Sequence, residues 1–176
     1  MINQQKNSLF FKITETRKNL ICFLLFASLS IAVMVAIFLF SSQTAENSAA
    51  LSGEFKGIVD KVLNCFKWLF SDGAILWIKN HIRKIAHFAL YTLLGAFLSA
   101  ATLNTRLKSL SARFFLPVGI GLFYSITDEI HQLFIEGRSG EIRDVFIDFS
   151  GVISGSIIAF LIYKTAKNIA KNRKKT

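Results

Sequence analysis

A run of 27 residues, from Asn19 to Ala45, contains no Asp, Glu, Lys or Arg. Its apolar core, Leu20 to Phe40, is as long as the roughly 20 residues with which a helix crosses the hydrocarbon layer of a membrane. A cleaved signal peptide is the alternative, but its apolar region has only about 7–15 residues and precedes a small-residue cleavage site. No convincing Ala-x-Ala follows this run. It therefore predicts a retained membrane span.

The rest of the chain contains three more apolar windows. Ile85 to Thr105 is interrupted only by His87, whereas Phe114–Thr127 and Phe149–Tyr163 have 14 and 15 residues. As helices the two short windows rise only about 21–23 Å, against about 30 Å of hydrocarbon. They span only if their helices include the neighbouring carboxylates, which we predict because both adjoin basic segments. The expected fold is all-α, an integral membrane four-helix bundle in one domain, 1–176, with spans at 20–40, 85–105, 114–134 and 144–163.

The formal net charge of +10 would suggest nucleic acid in a soluble protein. In a chain that is 52% hydrophobic, basic residues instead indicate topology. Four spans place the N-terminal tail, the 104–113 loop and the C-terminal tail on one side, with thirteen of the 21 lysines and arginines. Cations concentrate in cytoplasmic segments, so we expect both termini in the cytoplasm and no nucleic-acid partner.

The long connection between the first two spans shows a helical pattern. Its apolar residues recur at helical spacing opposite charged and polar ones. The apolar set is Phe55, Ile58, Val59, Val62, Phe66, Leu69 and Phe70. The pattern suits an amphipathic helix in the outer membrane interface, and equally a small folded cap packed on the spans.

Polar side chains of the last three spans fall at a similar predicted depth. His87 lies near the outer boundary of the second span, with Tyr91 about one turn deeper. Asp128 lies roughly 8–9 Å inside the third span, and Asp148 about one turn inside the fourth. A charge in hydrocarbon costs about 2.5 kcal/mol or more, so these groups are expected to face one another around a shallow wet cavity.

Spacing also groups the polar residues by helix face. Lys84, His87 and Tyr91 follow i, i+3, i+7 on the second span, and Asp128 and Gln132 follow i, i+4 on the third.

On the fourth span, Asp144 and Asp148 continue into Gly151 and Gly155. The two glycines form a GxxxG, which lets a neighbouring helix approach closely. We expect this stripe to bring Asp148 against another helix.

These groups suggest roles. The catalytic candidates are His87, Tyr91, Asp128 and Glu129, with Asp128 or Glu129 as an acid/base beside His87. The ligand-binding candidates are Lys84, Gln132, Arg138, Asp144 and Asp148, and Arg138 with Lys84 suits a phosphate or pyrophosphate.

Purely structural roles remain open for the same residues. Lys84, Arg138 and Arg143 could pair with the acids as structural ion pairs, and capping of the first span is the favoured role for 41–43 over an extension of the site. We expect no metal, because no two histidines share metal spacing on one helix, and we expect no cofactor. Cys22 and Cys65 indicate neither a disulfide framework nor a zinc site.

Three segments resemble the VanZ-like family. FSSQ at 40–43 is similar to the serine-glutamine motif after that family's first span, and RKIAHFALYTLLG at 83–95 resembles its Lys-x-x-His-Phe-x-x-Tyr-x-x-Leu-Gly pattern. DEIHQLFIEGRSGEIRDVFIDFSGVISG at 128–155 looks like its Asp-Glu-x-x-Gln…Gly-Arg…Asp signature followed by two glycines. The chain departs from the family at Glu136, where Pro is frequent, and at Asp148, where Asn is frequent.

The resemblance implies a small bacterial integral membrane protein, related to a protein linked to teicoplanin resistance. The family's characteristic positions fall here on Lys84, His87, Tyr91, Asp128, Glu129, Gln132, Arg138 and Asp144. We therefore expect a protein of the bacterial cytoplasmic membrane that binds an envelope lipid or lipid-linked precursor with an outer-leaflet polar site. An intramembrane hydrolase or transferase, and a non-catalytic scaffold or transporter, are the alternatives.

Overall fold

The computed structural model describes residues 2–50, 71–107 and 109–173, together with 53, 57, 59 and 61. The long helices are α1 (Ile2–Ser41), α3 (Ile82–Leu103), α4 (Leu110–Gln132) and α5 (Ile142–Asn172), and α2 (Asp72–Asn80) is short. No strand occurs among the described residues. The segment Thr16–Ser41 and the whole of α3, α4 and α5 are long and apolar enough to cross a membrane. The predicted all-α architecture with four spans is confirmed.

The helix bounds differ from the predicted spans by a few residues at most ends. The exceptions are α1, which begins at Ile2, well before the predicted start at 20, and α5, which continues through Asn172, well past the predicted end at 163. Lysine is a good helix former, so the basic tail extends the helix beyond its apolar part. The two apolar windows that are too short to span lie in helices of 23 and 31 residues that contain the carboxylates.

The connection between α1 and α3 is described in part. Of the amphipathic helix predicted from Phe55 to Phe70, only Gly57, Val59 and Lys61 are described, and these are helical, whereas its other residues lie outside the described part of the chain. Residues 45–50 are helical. The start of α2 is capped by Ser71, whose Oγ accepts the Ala74 N–H at 3.3 Å. This hydroxyl satisfies one of the amide donors that a helix start leaves without a partner.

Glycine allows α5 to lie directly against α3. A Cβ on Gly151 would stand 2.7 Å from the carbonyl oxygen of Phe88, and one on Gly155 would overlap the carbonyl oxygen of Thr92. The predicted close approach at the GxxxG is therefore present. A fully buried core of Ile37, Tyr91, Leu94 and Val152 joins α1, α3 and α5.

The four long helices run antiparallel in chain order, so their ends fall in two groups. At one end, Arg106 Nη2 donates to Thr16 Oγ1 at 3.2 Å. The opposite end, here the polar end, contains the C-termini of α1 and α4 and the N-termini of α3 and α5. There Ser41 bonds Asp128 and Lys84 pairs with Asp144.

Candidate functional site

The polar end holds ionisable side chains from three helices at one depth. His87 lies five residues into α3, Asp128 four residues before the end of α4, and Asp148 six residues into α5. At 1.5 Å per residue these positions are about 6–9 Å from the helix ends. The structure therefore brings the three residues together, as the depths inferred from the sequence predict.

Asp128 is the centre of a buried hydrogen-bond network. Its Oδ2 accepts from Ser41 Oγ at 2.9 Å and from Gln132 Nε2 at 3.4 Å. The same Gln132 nitrogen donates to Glu129 Oε1 at 3.2 Å. Asp128, Glu129 and Gln132 are all buried, so α1 and α4 are joined by bonds that water does not weaken.

Arg138 closes this network from the loop between α4 and α5. Its Nη1 donates to Gln132 Oε1 and its Nη2 to the Phe40 carbonyl oxygen, both at 3.2 Å. The chain turns just before it at Gly137, whose φ of 73° is a conformation that favours glycine. Burial, and the nearby charge of Arg83, lower the pKa of Arg138 from its ordinary value.

The start of α5 is fixed by two more acidic contacts. Glu129 Oε2 accepts the backbone N–H of Glu141 at 2.9 Å. Lys84 pairs with Asp144 and, at 3.4 Å, with Glu141. The structural ion-pair interpretation thus holds for Lys84 and Asp144, because the ammonium group is already engaged by two carboxylates.

His87 and Asp148 form a second, less satisfied group. His87 Nδ1 lies 3.7 Å from Asp148 Oδ2, beyond hydrogen-bond distance. Asp148 is 1% exposed, and its Oδ2 has no hydrogen-bond partner. The hydroxyl of Tyr91, one helical turn from His87, is also buried without a partner. Unsatisfied buried polar atoms are rare in folded proteins.

The part of the chain that forms the polar network matches a known protein family. A family model described as VanZ/LLP1 matches residues 26–163, from within α1 to within α5. The chain belongs to the VanZ/LLP1 family. It is a multi-pass membrane protein, with four helices able to cross the bilayer. Neither a curated protein nor a solved structure gives a match to it.

Three spaces meet at the polar end of this VanZ/LLP1 protein. A small cavity of about 10 Å³, room for about one water, is lined by His87, Glu129, Gln132 and Asp148 among others. A basic cleft of about 220 Å³ is lined by Lys79, Arg83, Lys84 and neighbouring residues of 45–49 and 80–82. A groove of about 370 Å³ between α1 and α3 has a mainly apolar wall, with Gln43, Ser48, Arg83, His87 and Arg138 also in its lining. Arg83 lines all three spaces.

The sequence analysis did not include Arg83 in this site and favoured a different role for Ser41. Capping was the favoured role for 41–43, but Ser41 is fully buried and donates to Asp128, so it extends the site. Ser42 also reaches across, 3.0 Å from His131 Nε2. Arg83 was not a candidate, although its place directly before Lys84 at the start of a span was a usable signal.

In this VanZ/LLP1 protein, side chains able to bind a metal come together from three different helices. One ligand-type atom from each of His87, Asp128 and Asp148 lies within 4.8 Å of the other two. The expectation of no metal considered histidine spacing on a single helix, which does not address a set contributed by three helices.

Proposed function

We propose that this protein binds an anionic envelope lipid, or a lipid-linked envelope precursor with a phosphate or diphosphate head group, at its polar end. It acts as a single domain, 1–176, in the bacterial cytoplasmic membrane, with the polar end in the outer leaflet and both termini in the cytoplasm. Binding there lowers the susceptibility of the cell to teicoplanin.

One observation supports lipid binding above the others: the apolar groove and the basic cleft adjoin each other and share Arg83. A lipid with an acidic head group has the same two parts, a hydrocarbon chain and an anion. The apolar wall is formed by Phe40, Ile82, Ile85, Ala86, Ala89 and Leu90. The phosphate would lie beside Lys79 and Arg83 in the basic cleft, where charge-assisted hydrogen bonds are strong.

The charged residues in the two apolar grooves favour the groove between α1 and α3 as the lipid site. A second apolar groove, of about 530 Å³, lies between α4 and α5, but its polar lining residues are Glu129 and Glu141. The groove between α1 and α3 has Arg83 and Arg138 in its lining instead. An anionic head group is attracted by Arg83 and Arg138 and repelled by Glu129 and Glu141.

An enzymatic role is the second candidate, supported by the position of His87. This residue lines both the apolar groove and the small cavity that contains Glu129 and Asp148. A head group at this junction would lie beside an imidazole and carboxylates that can act as general acid and base. Turnover of a labelled lipid by the purified protein, lost in His87→Ala, would establish the hydrolase or transferase role in place of simple binding.

The direct test is lipid binding to the full chain in detergent, measured by native mass spectrometry. The probes are phosphatidylglycerol, a polyprenyl diphosphate and neutral diacylglycerol. We expect the two anionic lipids to bind more tightly than diacylglycerol. Arg83→Gln removes a charged hydrogen bond of about 1.5–3 kcal/mol and should weaken them roughly 10- to 100-fold. Ala86→Phe should weaken all three by filling the groove.

Matched controls separate the site from general charge and size effects. Arg143→Gln removes the same charge at the same end, from an exposed residue outside these three spaces, and should leave binding unchanged. Ala32→Phe adds the same bulk on an exposed part of α1. Equal binding by Arg83→Gln and Arg143→Gln would contradict the proposal.

The cellular part uses a deletion strain complemented with each variant. We expect wild type and Arg143→Gln to restore the original teicoplanin susceptibility and lipid composition. Arg83→Gln and Asp128→Asn should fail to do so. Full rescue by Asp128→Asn would refute a role for the acidic site, whatever the binding experiment shows.

A further inference from the structure

Two buried carboxylates and one imidazole converge from three different helices. His87 comes from α3, Asp128 from α4 and Asp148 from α5, with one ligand-type atom of each within 4.8 Å of the others. His87 Nδ1 and Asp148 Oδ2 are 3.7 Å apart. Ligand atoms about 2.1 Å from a tetrahedral Zn²⁺ are separated by about 3.4 Å, so this pair needs little movement to share an ion.

The buried oxygen of Asp148 independently indicates a missing partner. Asp148 is 1% exposed, its Oδ2 faces His87, and that oxygen makes no hydrogen bond. The hydroxyl of Tyr91 is also fully buried and has no hydrogen-bond partner. Leaving a buried carboxylate oxygen without a partner is costly, and a cation between the three side chains would remove that cost.

The local charge balance also favours a cation. Asp128, Glu129 and Asp148 are buried acids, whereas Lys84 is engaged by Asp144 and Glu141. The guanidinium of Arg138 directs its Nη atoms to amide and carbonyl oxygens instead. Negative charge in a membrane-spanning segment is expensive unless it is compensated, and a divalent ion supplies two positive charges at the centre of the three groups.

We propose that His87, Asp128 and Asp148 bind a divalent transition-metal cation, Zn²⁺ or Mn²⁺. One imidazole nitrogen with two carboxylate oxygens is a ligand set that these ions accept, and Mg²⁺ rarely takes imidazole. Ser41 and Gln132 hydrogen-bond the Asp128 carboxylate and hold it in place, as partners of ligating groups do in metal sites. The ion ties α3, α4 and α5 together at the polar end.

This inference stands independently of lipid binding, although the sites are neighbours. His87 and Asp148 line the small cavity, and His87 also lines the apolar groove. Three protein ligands leave a fourth position for water or for an oxygen of another molecule. The metal is therefore tested on protein without added lipid, so that failure of one proposal does not decide the other.

The experiment titrates the full chain in detergent, stripped of metal with a chelator and free of any affinity tag. Zn²⁺, Mn²⁺ and Mg²⁺ are added in turn, and binding is measured by competition with a chromogenic chelator and by elemental analysis. We expect one equivalent of Zn²⁺ or Mn²⁺ per chain, with Mg²⁺ at least about tenfold weaker. Substitution of Zn²⁺ by Co²⁺ should give a visible absorption band of a low-symmetry site.

Variants then assign the ligands. Asp148→Asn and His87→Gln should each weaken Zn²⁺ or Mn²⁺ binding at least about tenfold. Two matched controls lie at the same end: Glu141→Gln removes an exposed carboxylate, and His131→Asn removes an imidazole bonded to Ser42. Both controls should bind metal like the wild type.

Three results would overturn the proposal. They are no saturable binding of Zn²⁺ or Mn²⁺ by the wild type, unchanged binding in Asp148→Asn and His87→Gln, or Mg²⁺ binding as tight as that of either ion. The wild-type titration and the Co²⁺ spectrum need no variant, so they decide the question even where a substituted chain fails to fold.

Discussion

Replacing Gly155 with alanine tests the helix contact on which the whole site depends. The added Cβ would overlap the carbonyl oxygen of Thr92 and stand 2.8 Å from the backbone nitrogen of Ala96. Ordinary contacts of this kind are about 3.5 Å or longer. Both neighbours are backbone atoms of α3, which cannot rotate away as a side chain does, so the two helices must separate.

The expected loss follows from two opposing effects. Overpacking costs about 1–3 kcal/mol, and an overlap with backbone belongs at the upper end of that range. Alanine is better than glycine in a helix by about 1 kcal/mol. The net loss should be about 2 kcal/mol, or roughly a 30-fold change in the unfolding equilibrium constant.

The measurement is the free energy of unfolding in mixed micelles, obtained by titration with a denaturing detergent and followed by circular dichroism. Gly119→Ala is the matched control, because it makes the same change in α4 where nothing lies within 4 Å. It should leave stability unchanged or raise it by up to about 1 kcal/mol. Gly151→Ala, with a nearest contact of 2.7 Å, should fall between the two.

A Gly155→Ala protein as stable as the wild type would refute this reasoning. It would mean that α5 does not lie against the backbone of α3 at this residue. The same shift would then remove the basis for placing Asp148 beside His87, because both side chains are positioned by this helix pair.

Two further predictions concern the network and the orientation. Ser41→Ala should lower the free energy of unfolding by about 1–2 kcal/mol, because buried Asp128 loses the shorter of its two hydrogen bonds. The control is Ser28→Ala, because the Ser28 hydroxyl bonds a carbonyl of its own helix at an exposed position. This control should change the free energy of unfolding by less than about 0.5 kcal/mol. An equal effect of the two would show that the bond across helices contributes nothing. The orientation is tested in a chain without its native cysteines. There Ser139→Cys should react with a membrane-impermeant maleimide in intact cells, whereas Thr105→Cys should react only after permeabilisation. The reverse pattern would contradict the proposed topology.

Much of the architecture could be predicted because it depends on local properties of the chain. Apolar length and the 3.6-residue period fixed the number of spans and the faces that carry polar groups. They also put His87, Asp128 and Asp148 at one depth, since depth along a helix is only a count of residues. The 14- and 15-residue windows were interpreted correctly because their flanking carboxylates were counted as part of the helices.

Which of these side chains contact one another could not be predicted from local properties of the chain. Lys84 was a phosphate candidate, and helix spacing did not reveal its pairing with Asp144 and Glu141. Ser41 was favoured as a cap, yet it donates to an acid 87 residues away in the chain. Such choices depend on how far each helix is rotated about its axis and on which helices are neighbours, and neither is encoded by spacing within one helix.

By itself, then, the sequence determined a four-span, all-α membrane chain with His87, Asp128 and Asp148 at one depth near the same end. Only the tertiary structure decided that α3 and α5 touch through glycine, that Arg83 joins the basic cleft to the apolar groove, and that ligand-type atoms of His87, Asp128 and Asp148 converge. The physical reason is that hydrophobicity and helical period act within a segment. Close packing instead depends on the shapes of surfaces far apart in the chain, which meet only when the bundle forms.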